Sequence, residues 1–302
     1  MSCTAGAEQS LGSRVKDTMS SQMKNDEDLL TIIIPAHDEA RYISSCLESL
    51  LAQAECSGAV EVVVVPNGCT DATCDIVCGY ESLFQAKGWI LKVVELKIGS
   101  KVNALNAGDA VAGGSIRLYL DADIICMPHL IELLRIALSR SGPLYATGRL
   151  QVAPAQSWIT RRYGDFWCEL PFVRGGAVGA GLYAVNAAGR ALWGEFPRII
   201  ADDAFARLQF TPTERIEVDA GYLWPLVEGF SALVRVRRRQ DAGMVELFRL
   251  YPELEKNDAK PQLTASWLLG ALWRKPISGL VYIMVSLAVR SRRATAEWTR
   301  GR

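Results

Sequence analysis

An α/β domain built on a mainly parallel sheet, with helices on both faces, is the fold class that the sequence predicts, and three observations predict it. Short β-branched apolar runs alternate with segments of helical periodicity. The runs are apolar at nearly every position, as strands buried on both faces must be. Three of them end in polar exits, "PAHDE", "PNGCTD" and "DAD", and in such sheets ligands bind beyond the carboxyl ends of the strands. A chain of 302 residues has room for one large domain or two small ones.

The elements follow in order. "LLTIIIPAHDEA" is a strand ending at Pro35, and "ARYISSCLESLLAQ" spaces Ile43, Leu47, Leu50 and Leu51 as one helical face. "AVEVVVVPNGCTDAT" repeats the scheme: a valine run, a Pro-Asn-Gly turn, then Asp71 near the start of another helix. "WILKVVEL" is a third strand. Ser100 can cap a helix over "KVNALNAGDAVAGG", and "SIRLYLDAD" is a fourth strand. Pro128 fits the first turn of "PHLIELLRIALSR". Strands and helices alternating at this spacing imply right-handed βαβ units. Later, "AVGAGLYAV" reads as a strand, "IIADDAFARLQF" enters a helix, and "ALVRVRRR" alternates as a half-exposed strand.

Lys and Arg balance Asp and Glu at 33 each, so nucleic acid is not the expected partner. The end of the chain departs from that balance, with Arg274, Lys275, Arg290, Arg292, Arg293, Arg300 and Arg302 against Glu297 alone. Eight cysteines lack CxxC pairing or a histidine cluster, which argues for reduced thiols in a cytosolic setting rather than a zinc site. Residues 1–28 have no apolar core of a secretory signal and read as a disordered leader. Residues 29–240 form the expected catalytic domain and 241–302 a C-terminal helical segment. From Leu263 to Val289 the chain is strongly apolar but interrupted by Arg274, Lys275 and Pro276; the roughly 13 uncharged residues that follow fall short of a bilayer span. Two amphipathic segments in the membrane interface, with Trp267 and Trp273 at headgroup level, fit this pattern. A helix pair packed on the catalytic domain is the other reading.

Asp121 and Asp123 stand at alternate positions where the fourth strand ends. Two carboxylates so close repel each other, and a divalent cation with a taste for hard oxygen, Mg²⁺ or Mn²⁺, removes that cost. Such a metal can hold a diphosphate and neutralise the charge that develops as it leaves. Asp202 and Asp203, at a predicted helix entry, offer a base for an acceptor hydroxyl, although the helix dipole alone also favours acids there. Lys101 starts a helix, where a cation opposes the dipole and an anionic ligand would justify it. On a strand, Arg235, Arg237 and Arg239 would share one face and could grip phosphate, or simply decorate a basic edge. His37 follows a strand exit; His129 reads as structural. The glycines of "RGGAVGAGLYAV" match no phosphate-loop pattern and suggest close backbone packing beside the site.

Taken in order, "TIIIPAHDEARYISSCLESLLAQ", "EVVVVPNGCTDAT", "GSKVNALNAG", "LYLDAD", "GGAVGAGLYAV" and "ADDAFARL" resemble family 2 glycosyltransferases of the Rossmann-like GT-A fold, over about residues 29–239. The resemblance implies an inverting transferase that uses a nucleotide-diphospho-sugar and a divalent metal. Glu39 and Asp71 match positions near the nucleotide, and Lys101 a recurrent lysine. Pro35, Asn67, Arg237 and Arg239 complete the expected donor-binding set. Asp121 and Asp123 match the DxD motif, whose second aspartate is usually the direct metal ligand. Asp202 and Asp203 match an acidic pair whose second member is usually the base, so Asp203 is the expected base. In place of the family's Asp-Asp-Gly-Ser, which reads a uridine base, stand Pro66, Asn67, Gly68 and Cys69. The Gln-x-x-Arg-Trp motif of processive members is missing after "RVRRRQDAG", which implies a single sugar addition. The basic apolar tail suggests a lipid-linked or polyprenyl-phosphate acceptor at the inner face of the cytoplasmic membrane, in exopolysaccharide or glycolipid assembly. A sugar-phosphate nucleotidyltransferase would want a basic glycine-rich loop after the first strand, which "PAHDEA" is not. A catalytically silent, membrane-associated binding module would not need both acidic pairs.

Overall fold

The computed structural model describes residues 29–259, 261 and 263–291. The expected leader and the last arginines, from Arg292 onward, lie outside the described residues.

The first strand, β1 (Leu30–Ala36), is buried at every position, as is β2 (Val60–Pro66) beside it. Helix α1 (Ile43–Leu51) joins them and turns Ile43, Leu47 and Leu50 inward. Two short helices, α2 (Thr73–Cys78) and α3 (Glu81–Ala86), lead to β3 (Ile90–Val93). This strand is mostly exposed because it forms one edge of the sheet. Helix α4 (Lys101–Val111) starts where expected, with the Ser100 hydroxyl accepting from the Asn103 amide, and β4 (Ile116–Leu120) follows. Strands β3, β2, β1 and β4 are parallel neighbours in that order, with Ile32 in register between Val62 and Leu118.

The sheet then continues in mixed sense. It takes in β5 (Ile125–Cys126), β6 (Tyr145–Val152), β7 (Leu182–Val185) and β8 (Arg215–Trp224). The full order is β3-β2-β1-β4-β7-β6-β8-β5, with β7 antiparallel to both β4 and β6. Between these strands run α5 (Leu130–Leu138), α6 (Trp158–Trp167), α7 (Ala187–Arg190) and α8 (Asp202–Leu208). The described residues close with α9 (Phe230–Leu250), α10 (Ala265–Arg274) and α11 (Pro276–Arg290).

Two local expectations are corrected. Pro128 lies before α5 instead of in its first turn, because His129 takes a left-handed backbone conformation (φ 69°) that no helix can include. "ALVRVRRR" is helical, the start of the 21-residue α9. Its alternation is only a few residues long, whereas the buried Leu233, Gly243 and Leu247 fall on one face of a helix, and arginine is a good helix former. The expected boundary at residue 240 therefore falls inside a continuous helix. Arg238 donates to the carbonyls of Ala288 and Val289, tying α9 to the last turn of α11.

Each face of the sheet is covered. Leu30, Ile32 and Ile34 pack with α1 and α5 on one side, and Ile33 packs with Leu105, Tyr119 and Tyr145 on the other. A third apolar cluster joins Phe166 of α6, Ala271 of α10, and Val281 and Val285 of α11, so the C-terminal helices pack on the domain. Gly279 permits that contact: a Cβ there would lie 2.3 Å from Leu272 Cδ2 and 3.1 Å from Phe166 Cε2. Helix α4 is anchored by Asp109, which accepts from Tyr119 Oη (2.9 and 3.0 Å) and Arg190 Nε (3.0 Å). That anchor fixes the helix whose first residue is Lys101.

Candidate active site

The exits of β1 and β2 are bound together by Asn67, which is 2% exposed. Its Nδ2 donates to the carbonyls of Ala36 (2.8 Å) and Val65 (3.1 Å), and its Oδ1 accepts from the Ser100 amide (2.9 Å). One side chain thus joins both strand ends to the cap of α4. Asp71 is equally committed. It accepts from the Ala40 amide (3.1 Å) and from both the amide and hydroxyl of Thr73, and although burial works the other way, these bonds hold its carboxyl below the usual range. Among the described residues, the one His/Cys/Asp/Glu trio close enough to share an ion is His37, Asp38 and Cys69. Its members already serve the same loops: His37 Nδ1 donates to the Asn67 carbonyl (2.6 Å), and Asp38 accepts from the Thr70 amide (2.6 Å).

Asp121 follows the last residue of β4. Its amide donates to the Gly181 carbonyl (2.8 Å), and its own carbonyl accepts from the Ile124 amide (3.2 Å), closing a tight turn that includes Asp123. Gly181 has φ +71°, and a Cβ on it would meet Ile124 Cδ1 at 2.9 Å and Asp121 Oδ2 at 3.3 Å. The glycine is needed both for its backbone and for the space beside the carboxylate. Gly181→Ala is accordingly expected to cost about 1–3 kcal/mol of stability and to weaken activity more than its fold, as urea melts and a turnover assay would show.

Lys101 links the two acidic pairs. Its Nζ lies 2.9 Å from Asp121 Oδ1 and 3.1 Å from Asp202 Oδ2. Burial alone would lower the ammonium pKa, but Asp121, Asp202 and Asp203 outweigh it and hold the group protonated. Asp202 is 7% exposed and pinned by that lysine. Asp203 is half-buried at the first turn of α8, and its Oδ1 accepts from the Ala204 amide (2.7 Å). Burial, reinforced by the charge of Asp202, pushes the Asp203 carboxyl up to about 6 against the pull of Lys101. That value suits a group that must take up a proton near neutral pH.

These residues open into a cleft of about 460 Å³ whose walls differ in chemistry. Lys101, Asp121, Asp202 and Asp203 line one end; Trp167, Phe172, Trp224 and Tyr282 line the other, with Arg237 and Arg239 between α9 and the cavity. Burial opposes the charge of Arg237, but Tyr163, Tyr282 and Asp241 outweigh it and keep its pKa raised. A small cavity of about 60 Å³, lined by Tyr163, Pro225, Leu226, Val227 and Leu233 among others, adjoins Trp167, Trp224 and Arg237. Pro35 borders a narrow recess beneath Lys101 and Asp121. Asp123, Glu39, Asn67 and Asp71 do not line the large cleft. Two carboxylates of hard oxygen suit Mn²⁺ or Mg²⁺, and because such ions take about six or more ligands, a bound diphosphate and water would have to supply the rest.

The family model for "Glycosyl transferase family 2" matches residues 31–192, more than half of the chain. The chain belongs to glycosyl transferase family 2. The uncharacterized glycosyltransferase alr2836 of Nostoc sp. is 33% identical to this family 2 chain over 103 residues, covering 34% of it and 30% of the relative. The dolichyl-phosphate beta-glucosyltransferase of Drosophila melanogaster is 31% identical over 121 residues, 38% of this chain and 36% of that one. The chain thus spans about a third of the length of these curated relatives. Among solved structures, the mannosyltransferase PcManGT from Pyrobaculum calidifontis, in complex with GDP-Man and Mn²⁺, aligns at TM-score 0.58 and 19% identity, over 86% of this chain and 75% of that one. That likeness shows the GT-A fold.

Seen as a family 2 glycosyltransferase, the chain has an aromatic end to its cleft that sequence reading missed. Trp167 and Trp224 come from α6 and the end of β8 and meet at 5.3 Å between ring centres. Had the arginine run been read as a helix, Val236, Arg237, Gln240 and Met244 would have stood out as one face of it, and all four line the cleft.

Proposed function

We propose that this family 2 transferase is an inverting enzyme that moves one sugar from a nucleotide-diphospho-sugar to an acceptor hydroxyl, in polysaccharide or glycolipid assembly. The observation that carries the reading is Lys101 joined to Asp121 on one side and Asp202 on the other, with Asp203 in the same cleft. Asp121 and Asp123 would hold a divalent metal, which when bound neutralises charge on the departing diphosphate. Presence of Mn²⁺ in the mannosyltransferase of the same fold supports that choice of ion.

The remaining chemistry belongs to the chain. Asp203, raised towards neutrality, takes the proton from the acceptor hydroxyl as its oxygen bonds to the anomeric carbon and the bond to the diphosphate breaks. Asp202 is the poorer base because Lys101 occupies it. Lys101 faces the leaving group with a charge held on permanently. The nucleotide lies at the exits of β1 and β2, near Pro35, Glu39, Asn67 and Asp71. Holding both substrates in line supplies much of the acceleration.

A polyprenyl-phosphate acceptor is the second reading. It is favoured by Arg237 and Arg239 beside an aromatic wall and an apolar side cavity, and by the likeness to the dolichyl-phosphate beta-glucosyltransferase of Drosophila. It puts the enzyme at the inner face of the cytoplasmic membrane, in peripheral contact through its C-terminal segment. A thermal-shift panel of nucleotide-sugars, with and without Mn²⁺, tests the whole. One donor should raise Tm by several degrees only when metal is present. No donor-specific shift in any combination would sink the reading.

A further inference from the structure

Helix α11 has two unlike faces. Tyr282 lines the cleft and packs on Tyr163 and Phe166, with ring centres at 5.4 and 5.0 Å, while Val281 and Val285 are buried. Ile277, Leu280, Met284 and Leu287 are 55, 60, 52 and 60% exposed. Their spacing of three and four residues puts them on one stripe. Helix α10, directly before it, leaves Leu269 69% and Trp273 89% exposed. Isolated exposed apolar residues are ordinary, but a continuous stripe of them calls for a partner.

The charges identify that partner. From Ala265 to Arg290 there is no aspartate or glutamate, while Arg274, Lys275 and Arg290 punctuate the stripe and the sequence beyond adds Arg292, Arg293, Arg300 and Arg302 against one glutamate. Arg274 and Lys275 also face Glu169, at 4.0 and 2.9 Å, which leaves the stripe with a net excess of cations at its edge; an anionic bilayer complements that combination by taking the apolar side chains below its headgroups and the cations among its phosphates. Among the described residues no helix is long and apolar enough to cross a membrane, so the stripe can lie on the bilayer but not span it.

We propose that the outer faces of α10 and α11 dock on an anionic membrane surface. The proposal deepens the lipid-acceptor reading given above and rests on it for its purpose: one helix would carry both the membrane contact and, through Tyr282, a wall of the cleft, so an acceptor would enter from the leaflet on which the protein sits.

The test floats the full chain with vesicles of phosphatidylcholine alone or with about a third phosphatidylglycerol. The wild type should co-float with anionic vesicles, and less so in high salt. Leu280→Glu/Met284→Glu, both outside the cleft, should cut that binding at least tenfold without changing the melting curve or the donor-dependent thermal shift. Arg274→Gln/Arg290→Gln should weaken binding to anionic vesicles only. The proposal is overturned if the wild type fails to float, or if the double Glu variant floats as well as the wild type. It also falls if light scattering finds a dimer that this variant splits, since a second copy would then cover the face. Vesicle binding without any donor response would leave the docking intact and remove the transferase reading instead.

Discussion

Asp203→Asn should reduce transfer by roughly 10²–10⁴-fold while donor binding survives, and the variant should melt higher than the wild type at neutral pH. Both effects come from the same burial. An amide of equal size cannot take up the acceptor proton, so turnover is lost, whereas the donor is held by other residues. The folded-state pKa of Asp203 is raised from 3.8 to about 6, so the group favours folding at pH below its unfolded value and loses that contribution as pH rises through about 6. At pH 7.5 the wild type therefore folds with a carboxylate that burial and Asp202 both oppose. Removing that charge should raise Tm by roughly 2–4 °C at pH 7.5 and by nothing near pH 4. Wild-type activity should climb with pH through about 6, and the residual activity of the variant should lack that limb. Wild-type-like turnover in Asp203→Asn would eliminate the assignment.

Asp121→Asn should abolish the Mn²⁺-dependent part of donor binding, with a loss in affinity of about 100-fold or more by calorimetry. An amide is a far poorer ligand than a carboxylate for a hard cation. The substitution also removes one of the two ionic partners of Lys101, leaving the lysine to Asp202. Chelation of the wild type with EDTA should reproduce the metal effect without the second one. Asp123→Ala should likewise lose metal-dependent donor binding, since the proposed ion needs both carboxylates although only Asp121 lines the large cleft. An unchanged titration of Asp121→Asn with metal and donor would exclude it from the metal site.

Much of this was legible in the sequence because it depended on local pattern. Four apolar runs gave four parallel strands, and the acids at their ends could be located by counting outwards from those runs. Ser100 was recognisable as a cap from its place before a helical segment, and the tight glycine of "AVGAGLYAV" as a packing position. What failed was the inference from the short alternation within "ALVRVRRR", because a period of two over so few residues is outweighed by a helix of 21 residues that contains it. The aromatic end of the cleft was illegible for another reason. Trp167, Trp224 and Tyr282 are far apart in sequence, and they meet only because β6 and β8 run side by side and α11 folds back on α6. Asp71 shows a third kind of gap: its position could be foreseen, but not that its oxygens are already engaged by backbone amides and a threonine hydroxyl.

The buried amide of Asn67 has a consequence for how a donor is received. Its hydrogen bonds fix the loops after β1 and β2 and the cap of α4 as a property of folding. A nucleotide bound at the proposed place would find these segments already in position and have little chain entropy to remove. Amide exchange at Asn67, Gly68 and Ser100 should therefore be slow in the empty enzyme and scarcely slower with donor bound, so that selectivity at this end resides in shape that exists before the encounter.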